Sequence, residues 1–187
     1  MKGLILAAAV LLTACSSTPQ THYYQLPTSQ APATVIATPA DGQSVVWVEH
    51  VSVPDYLAGN GVVYQASDVQ YVIAANNLWA SPLDQQLQQT LVSNLGQALP
   101  GWLISSKPLG ANYDTLNVNV TGFQGRYDGK AVISGEWLLE HQGRVIKHAF
   151  NVVLPQSEDG YDALVSTLAQ GWKQQADEIA KTLVTIK

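Results

Sequence analysis

Residues 115–154, TLNVNVTGFQGRYDGKAVISGEWLLEHQGRVIKHAFNVVL, decide the architecture of this chain. Leu116, Val118 and Val120 alternate with Asn117, Asn119 and Thr121, the period of a strand with one buried and one wet face. Asp128-Gly129 carries the residues of a type I′ hairpin turn. Ala131, Ile133, Gly135, Trp137 and Leu139 then share one face of the next strand. Gln142-Gly143 turns the chain again, into Val145–Leu154. Three long strands joined by short turns predict an antiparallel meander.

Beyond the meander, Asp159-Gly160 opens a helix with Tyr161, Leu164, Val165, Leu168, Trp172, Ile179 and Leu183 at helical spacing. Before it, Ser81-Pro82-Leu83-Asp84 reads as a helix start, with Ser81 as N-cap, Pro82 in the first helical position and Asp84 near the positive end. Leu83, Leu87, Leu91 and Leu95 repeat every four residues, and Pro100-Gly101 closes this helix. Trp102-Leu103-Ile104 follows as a short strand. Val45, Val46, Trp47, Val48, Val51 and Val53 form a β-branched run typical of a strand buried on both faces. Pro54 ends it and Tyr56 to Gly61 make a turn. Val62–Gln65 and Val69–Ile73 are two further strands, and Tyr23–Leu26 a short one. Residues 27–43, rich in Pro, Ala, Thr and Ser, read as a flexible connection. Strands, helix, strands and helix within one domain, 23–187, predict an α/β sandwich around a mixed sheet.

The N-terminus reads as a targeting segment. Lys2 precedes an apolar run from Leu4 to Leu12, and Leu12-Thr13-Ala14-Cys15 has the form of a bacterial lipobox. Cleavage after a signal at 1–14 leaves Cys15, the only cysteine, as a lipidated N-terminus on a tether at 15–22. The apolar run falls short of the roughly 20 residues of a transmembrane helix. Ser16 and Ser17 after the cysteine, in place of an Asp, favour the outer membrane with the domain facing the periplasm. Losing Lys2 moves the formal charge from −5 to −6, with no basic cluster to bind nucleic acid. One cysteine cannot form an internal bridge, so a core drawn from 47% hydrophobic residues must stabilise the domain.

The residues of catalysis are sparse. His22, His50, His141 and His148 lack metal-binding spacing, and neither a G-x-S-x-G elbow nor a Walker sequence occurs. Gly59-Asn60-Gly61 reads as a turn and Asp84 as a helix-start carboxylate. Glu136 and Glu140 share a solvated strand face. No catalytic residue, metal ligand or cofactor is expected. Trp47, Trp102, Trp137 and Trp172 fall where core packing is the default. Trp79 either staples the loop to the following helix or is an exposed anchor in a partner interface. Pro54, Asp55, Tyr56 and Leu57 either cap a sheet edge or contact another chain.

Val51–Gln65, Asn77–Leu87, Phe123–Lys130 and Ser134–Leu139, together with the lipobox and Tyr23-Tyr24-Gln25-Leu26, resemble the ABC-type transport auxiliary lipoproteins over nearly the whole mature chain. The resemblance implies a three-layer α/β fold and a non-enzymatic component of an envelope-spanning lipid transport system. It implies attachment to the inner leaflet of the outer membrane through acyl chains on Cys15. The implied partners are a periplasm-spanning MCE protein and, indirectly, a multispan inner-membrane protein. A symmetric MCE tube would be matched by a homo-oligomeric ring. The competing reading is a carrier that holds an acyl chain in its own apolar pocket.

Overall fold

The computed structural model describes residues 19–28, 42–110 and 112–186; the segment 1–14, Cys15 and most of the 27–43 connection lie outside them. Along the chain come β1 (His22–Tyr24), β2 (Val45–Ser52), α1 (Asp55–Ala58), β3 (Gly61–Ser67), β4 (Gln70–Trp79), α2 (Leu83–Ala98), β5 (Leu103–Ser105), β6 (Asp114–Arg126), β7 (Lys130–His141), β8 (Arg144–Pro155) and α3 (Tyr161–Thr185).

The alternating stretch from Thr115 forms the axis of the sheet. β7 pairs antiparallel with β6 from Thr115↔Glu140 to Arg126↔Lys130, and β8 pairs antiparallel with β7 along its whole length. The other edge of β6 is shared in succession. β2 runs parallel to its first half, Val46↔Asp114 to Ser52↔Asn119, and β3 runs parallel at Gly125 and Arg126. A bulge between Val120 and Gly122 marks the handover, and α1 connects the two parallel partners along the chain. β4 folds back antiparallel on β3, β1 adds in parallel to β4, and β5 adds in parallel to β2.

The leucine row of α2 is fully buried at Leu83, Leu87, Leu91 and Leu95, as are Leu168, Trp172, Ile179 and Leu183 of α3. Both helices cover the face that carries Val48, Leu116, Val118, Phe123, Ile133, Trp137 and Leu139, in one continuous core. Fully burying each such side chain contributes roughly 1.5–3 kcal/mol. The opposite face of the meander carries several polar pairs. Asn117 Nδ2 donates to Glu49 Oε2 at 2.8 Å, Ser52 Oγ to Asn119 Oδ1 at 3.0 Å, and Lys147 pairs with Glu136 at 2.7 Å. The α/β class, mixed sheet, meander and packing helices are as expected; among the described residues the two long helices share one face.

Three local expectations shift. Gly129 N–H bonds to Arg126 O at 3.0 Å, and of the turn residues only Gly129 has positive φ, at 74°. The β6–β7 connection is therefore a three-residue loop ending in a left-handed glycine, and the turn with two positive φ values is Gln142-Gly143, at 50° and 75°. Helix α2 starts one residue later than read: Pro82 O accepts the first helical bond, from Gln86 N–H at 3.1 Å, and no side chain caps it. The turn after Pro54 is a one-turn helix, in which Leu57 and Ala58 N–H both reach Pro54 O.

Candidate functional site

The described N-terminal segment enters the domain at a fixed point. Tyr24 O accepts from Ala80 N–H at 2.7 Å, and Leu26 is buried with its N–H donating to Gln86 Oε1 at 2.8 Å. Gln86 Nε2 in turn donates to Ser81 O at 2.8 Å, so one buried glutamine ties the N-terminal strand to the loop before α2. The Tyr24 hydroxyl donates to Asn77 Oδ1 at 3.2 Å. Burial, and after it the neighbouring Asp162, pushes its pKa up to about 12. Gln86 was hidden in the sequence, where it is one polar residue in an amphipathic helix.

The 54–57 turn divides by exposure. Asp55 is exposed, and Pro54 and Tyr56 are half-buried. Tyr56 O–H donates to Thr121 O at 2.8 Å across the β6 bulge, and its ring tilts against Tyr71 with centroids 5.0 Å apart. Burial raises this phenol to about 12. Leu57, at 1% exposure, belongs to the core. Trp79, at 4% exposure, packs on Phe123 with ring centroids 6.2 Å apart, and its backbone N–H donates to Asn60 O at 2.6 Å. Of its two readings, Trp79 packs the loop against the core, because Phe123 already occupies the ring. Leu57 likewise pins α1 from beneath. The surface of the turn is therefore Pro54, Asp55 and Tyr56. Gly61 completes it, since a Cβ there would collide with Ala74 O on the facing strand.

A second feature lies at the far end of the meander, where Gln43, Ser44, Tyr113, Asp114, Glu140 and His141 line a cleft of ≈ 670 Å³. His141 Nδ1 lies 2.8 Å from Asp114 Oδ1 and ties the end of β7 to the start of β6. A histidine–carboxylate pair is the orienting part of a nucleophilic triad; here it spans two strand ends, Asp114 at the start of β6 and His141 at the end of β7. His148 is stacked on Trp137 at 5.3 Å, while His22 and His50 are exposed on strands. Among the described residues no three His, Cys, Asp or Glu side chains gather to hold a metal, and no helix is long and apolar enough to cross a membrane.

The third feature is the end formed by the β3–β4 hairpin and the β6–β7 loop. There Arg126 and Lys130 both reach Asp128, at 2.7 and 2.9 Å, and hold its carboxyl well below the usual carboxylate range. The Tyr127 hydroxyl donates to Asp68 Oδ1 at 2.6 Å and joins the two loops. Val69 to Ile73 read as a strand in the sequence, and the adjacent apolar residues Tyr71, Val72 and Ile73, which break alternation, were the available signal that this end is unusual.

Comparison with known proteins agrees with the fold. Residues 24–180 match the ABC-type transport auxiliary lipoprotein component family. The chain is 57% identical over 183 residues to the intermembrane transport lipoprotein PqiC of Escherichia coli (strain K12) and to that of Shigella flexneri, covering 97% of this chain and 97% of each relative. The crystal structure of an uncharacterised protein, 59% identical, superposes with a TM-score of 0.80 over 88% of this chain and 99% of its own. Protein XCC0632 from Xanthomonas campestris, 18% identical, shares the fold at a TM-score of 0.63 over 87% of this chain and 95% of its own. The family match runs from Tyr24 to Ala180, and this chain belongs to the ABC-type transport auxiliary lipoprotein family.

Proposed function

We propose that this chain is the outer-membrane lipoprotein of an MCE-type intermembrane lipid transport system, where it docks the periplasmic MCE protein and supports membrane integrity. The observation that carries the reading is the kinship at 57% identity along 97% of both chains with intermembrane transport lipoproteins. Cys15 is the lipidation site. Two or three acyl chains on it suffice for stable attachment, since each buried CH₂ contributes about 0.8 kcal/mol and a single chain alone is marginal. The partners are a PqiB-like MCE protein that spans the periplasm and, indirectly, a PqiA-like multispan inner-membrane protein. Attachment concentrates the domain at the membrane, so a modest affinity for the tube end is enough to hold it. A ring of copies suits a symmetric tube. The exposed part of the α1 turn, Pro54, Asp55 and Tyr56, is the surface offered to the partner.

Cys15→Ala tests the anchor. The variant should leave the membrane fraction for the soluble periplasm and lose its contribution to membrane integrity, measured by detergent sensitivity. Full membrane fractionation with full function would overturn the reading. A photo-crosslinker at Asp55, which is exposed, should capture the MCE protein in cells; capture of an unrelated envelope machine instead would overturn the transport assignment.

A further inference from the structure

Five apolar side chains stand exposed at one end of the sheet. The β3–β4 hairpin carries Val69, Tyr71, Val72 and Ile73, of which Val69 is 90% exposed and Ile73 52%. Tyr127 is held beside them by its bond to Asp68. Along its first half β4 has no described strand on its outer side, because β1 begins only opposite Asn77. Tyr71 and Ile73 face one side of β4 and Val72 the other, so these side chains flank the free edge of the strand, and a group of exposed apolar side chains there marks a surface that something covers.

The charges around it are matched or acidic. Asp68 is engaged by Tyr127, and Asp128 by Arg126 and Lys130. Glu158 and Asp159 lie in the adjoining loop, which reaches the same end through the bond from Gln156 N–H to Gly129 O at 2.9 Å. A surface with no excess of cations gains little from anionic headgroups, so the attraction here is apolar.

The path of the chain indicates what covers it. β1 runs parallel to β4, His22 opposite Asn77 and Tyr24 opposite Trp79, so the residues before His22 approach from the hairpin side. Cys15 lies seven positions before His22, and Gln70 lies seven positions before Asn77 on β4. A chain of that length spans at most about 23–25 Å, which matches the stretch of β4 from Asn77 to the hairpin end at roughly 3.3 Å per residue. The lipidated residue thus comes within reach of the exposed apolar end.

We propose that Val69, Tyr71, Val72, Ile73 and Tyr127 rest on the lipid surface that receives the acyl chains of Cys15. The aliphatic side chains enter the boundary of the acyl region, and the tyrosines, amphipathic rings suited to headgroup depth, sit around them. This contact orients the domain and rests on the anchor reading above.

The test uses the full lipidated protein, whose acylated Cys15 leaves an introduced thiol as the only one. Val69→Cys and, at the far turn of the meander, Val145→Cys each take an environment-sensitive fluorophore. Both are then reconstituted into vesicles of phosphatidylethanolamine and phosphatidylglycerol. Both proteins should float with the vesicles, and nitroxide-labelled lipids should quench the Val69 probe several-fold more than the Val145 probe. Flotation with equal quenching would overturn the contact and leave the anchor intact. A Val69 probe shielded before vesicles are added would overturn it in favour of a second protein surface. Failure to float, with label also on Cys15, would sink the anchor reading and this inference together.

Discussion

Asp128 concentrates more charge–charge contact than any other described side chain, with Arg126 and Lys130 both on its carboxylate. Its folded-state pKa is depressed, first by hydrogen bonding from Arg126 and then from Lys130. In the unfolded chain an Asp titrates near about 3.9. The contribution of Asp128 is therefore present above that value and is lost as pH falls through the lower folded-state value. Asp128→Asn should lower the thermal midpoint at neutral pH, and the gap from the parent protein should close on acidification well below about pH 4. A midpoint difference that is unchanged down to strong acid would show that the loop does not depend on this charge. Because the cluster is exposed, added salt should shrink the effect as well. The sequence offered Arg126, Asp128 and Lys130 at alternate positions, but read the loop as a two-residue turn. What it could not display is that the carboxylate serves both neighbours, which a three-residue loop permits.

Among elements, β7 is the most constrained, since it is paired on both edges along its length. At its midpoint Gly135 lies so close to β6 that a Cβ would meet Asn119 O, and would come within 2.8 Å of Phe150 Cζ on β8. Gly135→Ala should destabilise the protein by about 1–3 kcal/mol, the usual cost of forcing atoms into a filled space. Urea unfolding should show this as a lower midpoint with an unchanged slope; an unmoved midpoint would mean the strands part without cost. Strand and helix positions were legible because period-2 and period-3.6 patterns mark them directly, as in Leu116 to Val120 and the leucine row of α2. Their ends were less so. Ser81 looked like the cap of α2, yet Pro82 O takes the first helical bond, and the turn after Pro54 closes into α1 through two bonds to a single carbonyl that no residue type announces.

The whole molecule is joined at Trp172. Its ring meets Phe123 edge-on and Phe150 at a tilt, both at 6.4 Å, and its Nε1–H donates to Leu87 O at 3.1 Å. One side chain of α3 thus touches the sheet and α2 together. Trp172→Ala should cost about 3–5 kcal/mol, read as a single cooperative unfolding transition at lower denaturant; two separated transitions would mean the layers fold independently. Which strands lie parallel, and that β2 and β3 follow each other along one edge of β6, depends on contacts between residues tens of positions apart and leaves no local trace. The same holds for the candidate surface. Trp79 and Leu57 are apolar residues in turns, and only the assembled core shows that they face inward while Asp55 stands exposed between the half-buried Pro54 and Tyr56. The short parallel pairing of β1 with β4 also has a mechanical side. A pull on the chain before His22, directed along the strand, loads the β1–β4 bonds together in shear and draws the plug of Leu26 against its socket. Held by its N-terminus, as the proposed anchor on Cys15 would hold it, the domain would hang from a joint that resists peeling.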